Sequence, residues 1–156
     1  MSFNGKGRNV PHYEPDDEIY TPPEIFERLD IDFDLDVCAP VINMPWVRAK
    51  RHYHLELDGL AQPWEGRVWC NPPYSKPKPW ILKFLEHGNG IMLVSMANSH
   101  ATKQFWQEAD GILYLHQLKF VRNGKPHGIF MPVVLLAMGD DNVEALWRSG
   151  YGRVRV

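Results

Sequence analysis

Apolar positions in this chain recur with two periods that take turns along it. Ile25, Phe26 and Leu29 form a helical stripe behind Tyr20-Thr21-Pro22, which predicts a helix with Thr21 as N-cap and Pro22 at the first helical position, where a missing N–H is harmless. Residues 31–40 alternate Ile, Phe, Leu and Val with Asp32, Asp34 and Asp36 before ending in Cys38-Ala39-Pro40. That is the period of a strand, with Asp32 and Asp34 toward solvent. Val68-Trp69-Cys70 is a shorter apolar run cut off by Pro72 and Pro73. Neither proline has an N–H for a ladder, so a buried strand leaves its sheet there.

Beyond that point, 80–85 predicts a helix stopped by Gly88, 90–96 a buried strand, 97–100 a loop, and 101–108 a helix with Phe105 and Trp106 packed inward. Strands are predicted over 112–115, 118–121 and 130–138, with Asn123-Gly124 a hairpin turn between the last two. A short helix over 142–148 and an edge strand over 152–156 complete the pattern. Residues 41–66 have no helical period and contain Pro45 and Pro63, so they read as an elaborated connection. Residues 1–18 mix Gly, Asn, Pro and acidic side chains without period, the pattern of a flexible arm, which leaves 19–156 as one domain. Strands alternating with helices predict an α/β architecture with a mainly parallel sheet and a C-terminal antiparallel hairpin.

Composition narrows the class. At 156 residues, 44% apolar and 23% charged, the chain is globular with room for one core. No run approaches the ~20 apolar residues of a membrane span. No charged start with an apolar stretch and small-residue cleavage site is present, so the expectation is a soluble cytoplasmic protein. Cys38 and Cys70 are too few for a disulfide framework and read as free thiols. Charge is uneven: residues 1–47 carry three basic against ten acidic side chains, 48–87 seven against four, and 88–156 seven against five. A more basic remainder behind an acidic first third fits a nucleic-acid partner touching one side.

The candidate chemistry lies at the end of the 68–70 strand. Asn71 offers a side-chain carbonyl, Pro72 a backbone carbonyl and Tyr74 a flat ring on a stiff backbone. Two acceptors beside an aromatic face suit a planar ring carrying an exocyclic amine. Asp36, near the end of its strand and followed by small residues, is what a doubly wound sheet uses to let a nucleoside approach the backbone. Ser75-Lys76-Pro77-Lys78-Pro79 is a stiff basic loop suited to lie along phosphates or simply to link two elements. Arg48, Lys50 and Arg51, with His52 and His54, form a second basic cluster.

Asn71-Pro72-Pro73-Tyr74 after an apolar strand resembles the catalytic motif of S-adenosylmethionine-dependent amino-group methyltransferases. The whole chain resembles the small phage-type DNA N-6-adenine methyltransferases. The resemblance implies a Rossmann-like fold, S-adenosyl-L-methionine as cofactor, and DNA as partner, with the target adenine flipped out and Tyr74 stacking on it. It makes Asn71, Pro72, Pro73 and Tyr74 the catalytic group. Thr21 and Pro22 would hold the donor's methionine carboxylate, Asp36, Cys38 and Ala39 would form the donor-binding strand, and Asp58, before Gly59-Leu60 and Trp64, would accept from the donor's adenine amine. Read from the residues alone, Thr21 is equally a cap, and Asp58-Gly59 equally a turn. Lys76, Lys78, Arg48, Lys50 and Arg51 are the candidate DNA contacts. The resemblance also implies a phage or prophage origin and protection of phage DNA from restriction. The Gly-rich loop usual after such a strand in doubly wound sheets is missing, and Asp36-Val37-Cys38-Ala39-Pro40 resembles instead the degenerate donor-binding strand of the phage family; one feature departs from the family pattern, Gln117 standing where an Arg usually precedes the Lys-Phe segment.

Three other readings compete. A methyltransferase acting on RNA or on protein glutamine would share fold and donor. A metal hydrolase would use His52, His54 and the two cysteines, although no close cysteine pair is present. A non-catalytic nucleic-acid-binding module would use the basic cluster and the six Trp residues, without needing acceptors at a strand end.

Overall fold

The computed structural model describes residues 20–40, 46–96, 99–116, 118–122, 125–128 and 132–156. The arm over 1–18, the Asn123-Gly124 turn and Gln117 lie outside the described residues.

Helix α1 (Pro23–Leu29) starts one residue later than the sequence predicts. The ring of Pro23 disfavours helical backbone at the residue before it, and Pro22 is extended at ψ 147°. Pro22 is therefore the N-cap, without a side-chain capping bond, and Thr21 is not a cap. Strand β1 (Phe33–Ala39) follows, with Asp32 exposed, Asp34 half-buried and Asp36 buried. Inside the expected connection lies a strand, β2 (Ala49–His54), which pairs in parallel with β1. Its six residues show no apolar alternation, because an edge strand needs no second buried face.

Strand β3 (Val68–Cys70) is central, parallel to β1 on one side and to β4 (Gly90–Ser95) on the other. Helix α2 (Lys78–His87) joins β3 to β4 and ends at Gly88 with φ 76°, the left-handed conformation that glycine adopts without strain. Helix α3 (Ser99–Glu108) buries Phe105 fully but leaves Trp106 40% exposed, with the Arg155 guanidinium 5.6 Å from its ring centre. Adjacent helical positions face about 100° apart, so the two rings do not share one buried face.

Strand β5 (Gly111–Leu115) precedes a separate two-stranded ribbon of β6 (Lys119–Arg122) and β7 (Lys125–Gly128). The expected hairpin partner of β6 was the 130–138 strand. Instead β6 pairs with β7, and β8 (Val133–Met138) inserts between β4 and β5, antiparallel to both. Helix α4 (Asp140–Arg148) and the edge strand β9 (Val154–Arg155), antiparallel to β5, finish the fold. The sheet order is β2-β1-β3-β4-β8-β5-β9. Its pairings are parallel from β2 to β4 and antiparallel beyond, so the expected mainly parallel sheet describes one half only.

Helices cover both faces. On one, α1 and α4 pack against Phe33, Trp69, Ile91 and Leu135; on the other, α2 and α3 pack against Leu35, Val37, Met92 and Leu136. Neighbouring residues of β4 and β8 enter opposite clusters, which is why these strands read as unbroken apolar runs. The Trp69 indole meets Phe26 at 4.8 Å and Phe33 at 5.6 Å, both edge-on, and so anchors β3.

Candidate active site

β3 brings Cys70 to the edge at which β1 and β4 also end, and the prolines then turn the chain out of the ladder. Asn71 stands half-buried at this turn, and its Nδ2 donates to Thr21 Oγ1 at 3.0 Å. Thr21 is 5% exposed, and its carbonyl accepts from Trp46 Nε1 at 2.8 Å. Three segments remote in sequence are thus joined in one polar chain. Pro72 is buried; Tyr74 packs against the core cluster on the α1 side, and burial pushes its phenol above the ordinary value.

Across the turn, a cavity of about 190 Å³ opens between the ends of β1 and β2 and the start of α2. Val37, Cys38 and Ala39 of β1, Tyr53 and His54 of β2, the loop 58–60, and Pro73, Lys76 and Trp80 line it. The loop rides on the end of β1. A Cβ at Gly59 would stand 1.9 Å from the Val37 carbonyl oxygen, so only glycine fits, and Asp58 before it has φ 49°.

Lys83 of α2 holds this loop from beneath. Its Nζ donates to the carbonyls of Gly59 at 3.4 Å, Leu60 at 2.8 Å and Gln62 at 2.5 Å, and lies 5.0 Å from the Trp64 ring centre. Desolvation lowers its pKa. Trp64 Nε1 adds a 2.7 Å bond to the Gly59 carbonyl.

Asp36 does not line the cavity. It is 2% exposed, accepts from the Cys38 N–H at 3.2 Å, and lies 3.8 Å from His52 Nδ1 on the opposite position of β2. Burial pushes the Asp36 carboxyl up, while Asp36 raises the pKa of His52. His52 stacks on His54, whose Nδ1 contacts the Pro40 carbonyl at 3.1 Å. Among the described residues no group of three or more His, Cys, Asp or Glu is placed to hold a metal ion. Burial also pushes the Cys70 thiol well up. No helix of the described residues is long and apolar enough to cross a membrane.

The basic cluster faces acids of its own chain. Arg48 bonds Asp32 at 2.7 Å and Asp30 at 3.1 Å, Lys50 lies 3.4 Å from Asp34, and Arg51 lies 3.3 Å from Glu65. Exposed pairs of this kind contribute about 0–1 kcal/mol each. They also charge the outer edge of β2 against unwanted pairing. Lys78, exposed at the start of α2, does not line the cavity, whereas Lys76 does.

Of the residues singled out in the sequence, Cys38, Ala39, Asp58, Pro73 and Lys76 therefore meet around one cavity, while Thr21 meets Asn71. Thr21 and Pro22 are not among the cavity's lining residues. Sequence reasoning missed Tyr53 and placed His54 only in the basic cluster and the metal reading, not at the cavity, because β2 reads as a connection. It also missed Trp46 and Lys83, whose roles depend on where loops return to the helices.

The family model described as DNA N-6-adenine-methyltransferase (Dam) matches residues 9–129, which take in Thr21, Asp58 and the Asn71–Tyr74 turn. A relative named DNA N-6-adenine-methyltransferase, from Haemophilus phage HP1 (strain HP1c1), is 33% identical over 105 residues, covering 60% of this chain and 58% of the relative. The match thus spans little more than half of that relative's length. No solved structure matches the chain. By the extent of the family match and the motif it contains, the chain belongs to the DNA N-6-adenine-methyltransferase (Dam) family.

Proposed function

We propose that the protein transfers a methyl group from S-adenosyl-L-methionine to the exocyclic amine of adenine in DNA, on a Rossmann-like arrangement of β1 to β4. The observation that carries the reading is the turn at the end of β3. It sets an amide acceptor, Asn71, on one side and a walled cavity on the other, in a chain of this family.

The cavity's chemistry fits the donor. Val37, Ala39, Leu60 and Trp80 offer apolar walls to an adenine ring, Asp58 offers an acceptor to its amine, and the glycine at 59 lets the loop seat closely on the Val37 carbonyl. When bound, the donor supplies a methyl group on a sulfonium whose thioether leaves neutral. The chain's own work is on the nucleophile, whose nitrogen lone pair is delocalised into the ring. Asn71 Oδ1 and the Pro72 carbonyl accept the two amine hydrogens and draw the nitrogen toward a tetrahedral, nucleophilic shape. With the donor bound, attack of the nitrogen on the methyl carbon would displace the neutral thioether, and the proton then lost from the amine would pass to solvent water. Preorganised acceptors of this kind supply ~3–4 kcal/mol. The target base leaves the duplex to reach them, with Tyr74 as its stacking partner and Lys76 and Lys78 as phosphate contacts. Arg48, Lys50 and Arg51 contact DNA only by exchanging their acidic partners for phosphates.

Transfer of labelled methyl to unmethylated DNA, with the modified nucleosides separated, tests the reading. Wild type is expected to yield methyladenine, and Asn71→Ala almost none while donor binding persists. Donor binding without labelled DNA would redirect the search to RNA or protein; no donor binding would end the methyltransferase reading.

A further inference from the structure

We propose that Lys83 is a positioning residue for the donor's nucleobase: by tying the 58–62 loop to α2 it fixes Asp58 where a 6-amino group is read, and so sets a preference for a 6-amino over a 6-oxo purine. The inference rests on the reading of the cavity as the donor site and of Asp58 as the acceptor. Chemistry settles the direction of every bond in this clamp. An ammonium only donates and a carbonyl only accepts, so the Lys83 Nζ hydrogens go to the carbonyls of Gly59 at 3.4 Å, Leu60 at 2.8 Å and Gln62 at 2.5 Å. The Trp64 indole N–H likewise only donates, and it reaches the Gly59 carbonyl at 2.7 Å.

The clamp works from behind the cavity. Asp58, Gly59 and Leu60 line it, as does Trp80 of α2, whereas Lys83, about one turn further along the same helix, does not. One helix thus supplies both a wall and the tie for the loop beside it, and a Cβ on Gly59 would stand 3.2 Å from the Trp80 ring. The gap open to a purine is therefore set by how firmly Lys83 holds the loop. Asp58 needs that hold. At φ 49° it lies in the left-handed region, which a residue with a side chain keeps where its surroundings enforce it. The loop closes on itself through the Ala61 N–H to the Asp58 carbonyl at 2.9 Å and Gln62 Nε2 to the Leu57 carbonyl at 2.9 Å; Lys83 then joins it to the scaffold. A carboxylate accepts from a 6-amino group and is repelled by the oxygen of a 6-oxo purine, a selectivity that lasts while the carboxylate is kept in place.

The test measures by calorimetry the affinities of S-adenosyl-L-homocysteine and its 6-oxo counterpart, S-inosyl-L-homocysteine. Wild type, Lys83→Met, Trp64→Phe, Asp58→Ala and the Lys83→Met/Asp58→Ala double variant are compared, with thermal unfolding to verify that each is folded. Wild type is expected to favour the 6-amino compound by about thirtyfold or more. Lys83→Met is expected to weaken the 6-amino compound about three- to tenfold and the 6-oxo compound less than about twofold, so that the preference shrinks. Asp58→Ala removes most of the preference, and adding Lys83→Met to it changes the ratio less than about twofold, because the group it positions is gone. Should Lys83→Met prevent folding, Trp64→Phe, which deletes the indole bond to the Gly59 carbonyl and keeps an aromatic ring, is expected to shrink the preference in the same sense. Equal weakening of both compounds, with the ratio kept at its wild-type value, means that the clamp supports only the shape of the cavity and overturns the inference. So does a wild type that binds both compounds equally, or a ratio that Lys83→Met still lowers in the Asp58→Ala background. If Asp58→Ala abolishes the preference while Lys83→Met keeps it, the inference alone falls; if wild type binds neither compound, the functional reading falls with it.

Discussion

The two sides of the Asn71–Tyr74 turn are built by different means. The cavity side is shaped by backbone: a loop seated on the end of β1 through Gly59, with the carbonyls of Gly59, Leu60 and Gln62 gathered by one half-buried ammonium, Lys83. The Asn71 side is shaped by side chains: an amide, a hydroxyl and an indole on segments up to 50 residues apart. A backbone-built wall tolerates changes of lining residue but not of the glycine that lets it close. A side-chain chain fails at any one link, and its failure alters orientation rather than volume.

This contrast can be broken first at Asn71. Removing its amide by Asn71→Ala is expected to slow methyl transfer by ~10²–10³-fold while leaving donor affinity nearly intact, as read from single-turnover rates and calorimetry. On the other side, Gly59→Ala is expected to weaken donor binding by about tenfold or more, since the new Cβ displaces the loop from the Val37 carbonyl. The midpoint of thermal unfolding should fall as well. Lys83→Met keeps the aliphatic stem but removes the charge that gathers the loop; donor Kd should rise about three- to tenfold with kcat at saturation close to wild type. A fall in kcat with unchanged Kd would show that the two sides are not separable.

The smallest effect expected is one of pH. Asp36 raises the pKa of His52 above its ordinary 6.5. The stabilisation from this contact is therefore complete below that value and is lost as pH rises through the raised one. Asp36 acts in the same direction at lower pH, because burial favours its protonated form and ionisation above 3.8 costs stability. His52→Gln should lower the unfolding midpoint by a few degrees near pH 6 and by nearly nothing near pH 8.5. An equal loss at both values would mean that His52 contributes only packing.

What the sequence made legible follows from how local each cause is. The end of β3 was readable because Pro72 and Pro73 forbid ladder bonds by themselves, and the end of α2 because Gly88 can take a left-handed turn. The start of α1 was misread by one residue, although the Pro22-Pro23 pair carried the signal. β2 was not readable, since Lys50, Arg51, His52 and His54 become a strand through pairing with β1 and through acids brought from 30–34 and 65. β8 was readable as a strand but not as the neighbour of β4 and β5. Of the six residues expected around the donor, Cys38, Ala39 and Asp58 line one cavity while Thr21, Pro22 and Asp36 do not; the partner of Thr21 was not foreseen, because a hydroxyl before a proline pair reads as a cap.

The insertion of β8 between β4 and β5 also bears on what an incomplete chain exposes. Strands β1 to β4 and their helices can associate as soon as they emerge, but β4 and β5 have no pairing with each other. Until residue 138 has been synthesised, each presents an unsatisfied edge of apolar residues, Ile91 to Val94 on one and Ile112 to Leu115 on the other, open to any foreign strand. Completion of the sheet is thus a long-range closure event, and a chain truncated before β8 would leave β4 open on one edge and β5 on both.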